Sequence, residues 1–392
     1  MRITALRSHI ISLGFRNGIF TEIETDTGIV GFSETVLKRF SRTVATGIHE
    51  LGQTLIGKDP RRIEAHYEKL YRDSFWVGGP LHSTIISALE IALWDIVGKE
   101  LGCPLYRLFG GPTRERVLLY AHCQSGDSPA QFAANVRARQ RAGYRAIKTT
   151  LPLFYGAGPQ GGETYSGTRG SIDPGWKETE YLSPAVIEGI AQYFAAARDA
   201  AGAEMGLALD GHGRLSPANA LRLAEALAPH QLIFFEEPVP PENIAALRWL
   251  TARSPIPIAS GERTVTIYDA AQIMEQRAVN LYQPDVVNCG GLSQARKMAA
   301  IAEAHYVGIA PHNPNGAMCS AASLHLAASI PNFYMMETIG SEEDASLFGE
   351  IVDRPLIMED GHWLLPEAPG LGMNLRRSAV GKFPGETFQG YR

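Results

Sequence analysis

From Val117 onward the chain alternates short apolar runs with amphipathic helical stretches, and this rhythm restricts the folds open to it. The strand-like runs are VLLYAH, AIKTT, GLALD, LIFFE, IPIAS, NLYQ, GIAP and FYMME, eight in all. Such short apolar runs read as parallel strands buried on both faces. Helical stretches such as AQFAANVRARQRAG, PANALRLAEALA and SQARKMAAIAEAH separate them. Three helices open on Ser-Pro, at Ser128, Ser183 and Ser216. Serine caps the free backbone N–H groups of a helix start, and proline suits its first turn. Eight strands alternating with helices predict a (β/α)8 barrel, with a doubly wound open sheet as the alternative.

The first 115 residues follow another pattern. ITALRSHII, FTEIETDTG and IVGFSET alternate apolar and polar residues, as in an antiparallel meander. Two helices follow, RRIEAHYEKLYRDSF and LHSTIISALEIALWDIVGKELG. We therefore expect an α+β module at 1–115, a barrel at 116–350 and a C-terminal segment at 351–392. The opening MRITALRSHIISLG reads as a first strand and not a leader peptide. No run of about 18 apolar residues stands out, so no membrane span is expected. A net charge of −5 without a basic stripe argues against nucleic acid as a partner. The four cysteines are scattered without a CxxC pair, which fits a reduced cytoplasm and not a zinc ribbon.

In a barrel of this kind the active site forms at the C-terminal ends of the strands. Standing there are Lys148, Asp210 with His212, Glu236 with Glu237, Glu262, Asp285, His312 and Glu337. From Asp210 to Glu337 successive charged positions are 23 to 27 residues apart, one βα unit each, so all arrive on one rim. Asp210, Glu236 and Glu262 on successive strands form an oxygen-only donor set, which favours a hard cation, Mg2+ before Mn2+. Such an ion can hold a substrate carboxylate and stabilise an enolate formed from it. Asp285 and His312 stand at neighbouring strand ends, where a carboxylate can orient an imidazole as a general base.

Taken in order, Asp in LALDGHGR, Glu in FFEEP, Glu in SGER, Asp in QPD, His in APHN and Glu in MMET resemble the enolase superfamily in its mandelate racemase-like branch. The resemblance covers nearly the whole chain. EIALWDIVGKELGCPLYRLFGG resembles the family's run into the barrel, and DGHWLLPEAPGLGM the segment that returns to complete its capping domain. It implies one Mg2+ on Asp210, Glu236 and Glu262. It further implies that His312, oriented by Asp285, removes the proton α to a carboxylate, while Glu337 hydrogen-bonds the substrate from the opposite side. Glu237 is expected to support a ligand without being one.

Racemases of this type carry Lys-x-Lys on the second strand, whereas this chain has Lys148-Thr149-Thr150. It has instead His212 in DGHGR, which resembles sugar-acid dehydratases of the galactonate and mannonate type. Hydroxide is a poor leaving group, and a histidine there can protonate it. The expected reaction is dehydration of an aldonate to a 2-keto-3-deoxy sugar acid. Epimerisation of an acid sugar is the runner-up, and a catalytically silent barrel a third reading. Lys148 is expected to contact substrate, with charge tuning or a structural ion pair as alternatives; Arg214 could meet substrate or a ligand carboxylate. Trp76, with Phe75, could close over substrate or pack within the cap. The long polar stretch after the second strand holds Tyr155 and Tyr165, which could act with Lys148 as an alternative base. Specificity loops are expected around Leu13–Phe20 and Tyr71–Pro80, and a homo-oligomer is expected.

Overall fold

The computed structural model describes residues 1–13, 16–73, 75–152, 182–340 and 342–388. Strands β1 (Ile3–Ser12), β2 (Asn17–Thr25) and β3 (Val30–Thr35) form the expected antiparallel meander. The two faces of this sheet have separate uses. Ile10, Ile19 and Ile23 pack with the helices Ser41–Gly52, Ile63–Arg72 and Pro80–Glu100, while Ile11, Phe20 and Phe32 join the core shared with the barrel. A period of two along each strand produces this division. Asn17–Phe20, expected within a loop, instead opens β2. The helix Pro80–Glu100 is long and apolar enough by composition to cross a membrane, yet most of its residues are buried in the protein, where it is the cap's central helix.

The barrel strands are β4 (Arg116–His122), β5 (Ala146–Thr150), β6 (Gly206–Asp210), β7 (Phe234–Glu236), β8 (Ile258–Ser260), β9 (Leu281–Tyr282), β10 (Gly308–Ile309) and β11 (Met336–Thr338). Neighbours from β4 through β10 pair in parallel, Ile309 bridges to Phe333 just ahead of β11, and β11 pairs with β4. The ring is closed, which excludes the open-sheet alternative. Tyr120, Ala208, Phe234, Ala259 and Leu281 fill its base. Ser128, Ser183 and Ser216 each cap a helix by accepting from a backbone N–H three residues on.

Buried carboxylates join the cap to the barrel. Glu90, on the cap's central helix, accepts from the backbone N–H groups of Leu292 and Ser293 at 2.9 and 2.8 Å, which start the barrel helix Leu292–Ala304. Glu34, on β3, accepts from Met318 N–H at the start of the helix Ala317–Ser329. Neither helix has a side-chain cap of its own, so the other domain supplies one. After the barrel, the hairpin β12 (Met358–Glu359) and β13 (His362–Leu364) pairs with β4, and β14 (Gly385–Phe388) then pairs antiparallel with β1. β14 thus joins the sheet that β1 opens.

Candidate active site

Side chains alternate along each barrel strand, so those that share the inward phase of β4 to β7 converge at the strand ends. Lys148 on β5 lies opposite Ala208, and Asp210 on β6 opposite Glu236 on β7. The Lys148 ammonium, 3% exposed, meets three carboxylates: Glu337 Oε1 at 2.6 Å, Glu236 Oε1 at 2.7 Å and Asp210 Oδ2 at 3.3 Å. Lys148 thus forms buried ion pairs with all three. Gln283 donates to the other oxygen of Glu236 at 2.7 Å.

One ammonium cannot balance three carboxylates. Burial, together with Asp210, Glu337 and Glu262, outweighs Lys148 and pushes the Glu236 carboxyl well above its usual range. Burial would also raise Asp210, but His212 and Lys148 hold it below the usual range. Among the described residues no three His, Cys, Asp or Glu side chains converge as a ready-made ligand group. Asp210 and Glu236 face one another, whereas Glu262 lies 3.4 Å from His312 Nε2. The donor set is nonetheless oxygen-rich and short of positive charge, which suits a hard divalent cation. Gly261 gives the chain the conformation that leads into Glu262. Its φ is +146°, and a Cβ there would lie 2.7 Å from the Tyr282 ring and 2.8 Å from the Gln283 nitrogen.

Two histidines flank the cluster. His312 donates from Nδ1 to Asp285 Oδ2 at 2.8 Å, which leaves Nε2 facing the carboxylates. Burial alone would lower this imidazole, but Glu262, Glu337 and Asp285 together raise it to about 10. A divalent cation on the carboxylates would offset that negative charge and bring it down. His212 follows β6 in a left-handed conformation (φ +48°), with Nε2 3.0 Å from Asp210 Oδ2 and its own N–H donating to Oδ1.

Glu337 is fully buried. Lys148 and His122 share its Oε1, and the Asn313 N–H donates to Oε2 at 2.7 Å. Burial would raise it, yet Lys148, His312 and His122 hold it well below the usual carboxylate range. It is thus an ionised acceptor with both oxygens engaged by neighbouring donors. His122, at the end of β4, went unremarked in the sequence. Its side chain is 23% exposed, and burial lowers its imidazole against the pull of Glu337. The signal was available, because VLLYAH is a barrel strand ending in a polar residue like the others.

Glu237 accepts from Arg263 Nε at 2.7 Å and from Ser260 Oγ at 3.3 Å. Arg214 is half-buried in the loop after β6, with its Nε enclosed and lacking a hydrogen-bond partner among the described residues. Trp76 is 84% exposed on the cap, edge-on to Phe75. Tyr155 and Tyr165 lie outside the described residues. Replacing Lys148 by Met leaves Asp210, Glu236 and Glu337 without their shared ammonium, which we expect to cost about 3–5 kcal/mol in cation-free protein. Added Mg2+ should then raise the melting temperature of Lys148→Met more than that of the parent, as measured by calorimetry.

Residues 131–379 match the family described as enolase C-terminal domain-like, and residues 9–110 match the mandelate racemase / muconate lactonizing enzyme N-terminal domain. The chain belongs to the enolase superfamily. Within it, a D-galactonate dehydratase of Ralstonia pickettii is 33% identical over 97% of this chain and 94% of its own length. A D-galactonate dehydratase family member, ManD, of Chromohalobacter salexigens is 31% identical over 96% and 94%. An enolase-superfamily structure from Salmonella Typhimurium superimposes with a TM-score of 0.89 at 26% identity, covering 99% of this chain and 100% of that one. An enolase of Agrobacterium radiobacter with bound Na and L-malate gives 0.84 at 27% identity, covering 100% and 96%.

Proposed function

We propose that this chain is a sugar-acid dehydratase that converts an aldonate to a 2-keto-3-deoxy acid. The observation that carries the reading is the pair of histidines, His312 on Asp285 and His212 on Asp210, standing on either side of one carboxylate cluster. The D-galactonate dehydratases among the relatives support it. Mg2+ held by Asp210, Glu236 and Glu262 would polarise the substrate carboxylate and lower the cost of removing its α-proton. The Agrobacterium relative is described with Na and L-malate bound, a cation together with a carboxylic acid, which is in keeping with that reading.

His312 Nε2 takes the α-proton, with its Nδ1–H fixed on Asp285. Lys148 and His122, both tied to Glu337, keep hydrogen-bond donors beside the oxygens that gain charge. His212 gives a proton to the β-hydroxyl, the C–O bond breaks, and water leaves. The resulting enol tautomerises to the 2-keto acid. A screen of aldonates and aldarates with Mg2+, detecting 2-keto-3-deoxy products with semicarbazide, tests the reading. One or a few acids should give product, and EDTA should abolish it. Exchange of the α-proton with recovery of an inverted acid, and no keto product, would show epimerisation instead.

A further inference from the structure

The Asp285–His312 pair does not end at Asp285. Asn315, 6% exposed and three residues past His312, donates from Nδ2 to Asp285 Oδ2 at 3.2 Å. Its Oδ1 accepts from Arg16 Nη1 at 2.9 Å. Arg16, 7% exposed, comes from the turn between β1 and β2 in the cap.

The chemistry fixes the direction of this chain. A guanidinium only donates, so the amide oxygen must face Arg16 and the amide nitrogen must face Asp285. An ionised carboxylate only accepts, so Asp285 takes one hydrogen bond from Asn315 and another from His312 on the same oxygen. Its second oxygen takes the Val287 N–H at 2.9 Å. Asp285 is then held from three sides, with Oδ2 presented to His312.

We propose that Asn315 and Arg16 are positioning residues that couple the seated cap to the orientation of the base. Resting on the dehydratase reading, this gives the cap a part in proton abstraction as well as in enclosing the site. Without the Arg16 donor, the Asn315 amide keeps its bond to Asp285 but loses the contact that fixes its other end, so Asp285 is held less firmly.

The test uses the full chain and the acid sugar that the screen identifies. Outer-shell partners of catalytic groups typically affect activity by 10- to 100-fold. Asn315→Leu and Arg16→Met should each lower kcat by about that factor with little change in KM. Because the two act in series, the double variant should fall no further than Asn315→Leu alone. Arg16→Lys, which keeps a donor, should recover part of the loss. Mg2+ affinity, measured by titration calorimetry, should stay near that of the parent.

A second readout needs no turnover. The downfield Nδ1 proton of His312 in the NMR spectrum, assigned with His312→Asn, should move upfield or vanish in Asn315→Leu and Arg16→Met. Unchanged kcat and an unmoved proton would overturn the relay, as would a loss confined to KM. If the parent turns over no acid sugar while the proton still responds, the relay stands and the dehydratase reading falls. If Asn315→Leu does not fold, the two Arg16 variants decide the matter.

Discussion

His312→Asn should reduce dehydration of the acid sugar by about a thousandfold or more, the upper part of the range for a lost general base. The same variant should lose exchange of the substrate α-proton with solvent deuterium, followed by proton NMR. Asparagine still offers an N–H in the direction of Asp285, so thermal unfolding should change little. The pH profile carries a sign. A base works deprotonated, so kcat/KM should rise with pH through the imidazole's pKa. Without a cation that pKa is raised to about 10, against the lowering effect of burial, by Glu262, Glu337 and Asp285. Saturating Mg2+ opposes those charges, so the rising limb should move to lower pH as the ion is added.

His212→Asn should separate the two halves of the reaction. Without its proton the β-hydroxyl leaves as hydroxide, and product formation should fall by about 100- to 10,000-fold. The α-proton should continue to exchange, because His312 and Asp285 lie on the far side of the cluster and do not depend on His212. Exchange lost together with product would remove the assignment of His212 as the acid and make it part of proton abstraction.

All eight barrel strands could be found in the sequence, because a parallel strand covered on both faces needs an unbroken apolar run and little else gives one at a regular interval. The polar residue ending each run marked the rim for the same reason. What could not be read was depth. Lys148 and Glu337 occupy inward positions like Asp210 and Glu236, but their near-complete burial follows from how the whole ring closes. A closed ring brings β5 and β11 to either side of β4, and so Lys148 onto Glu337 across nearly two hundred residues. Arg16 and Asn315 were equally hidden, since their bond spans 299 positions and joins two separately patterned modules. His122 was legible in principle, by the rule that found the others.

The seating of β14 on β1 has a consequence for synthesis. His9 and Thr387 share a hydrogen bond across 378 positions, and the fourth strand of the cap's sheet follows the whole barrel in sequence. The first three strands leave the ribosome early with an open edge along β1, and that edge stays unpaired while the barrel is translated. The barrel's closing strand β11 also precedes β14. The cylinder can close before the cap is complete, and an exposed β1 edge is the part of the nascent protein most in need of protection.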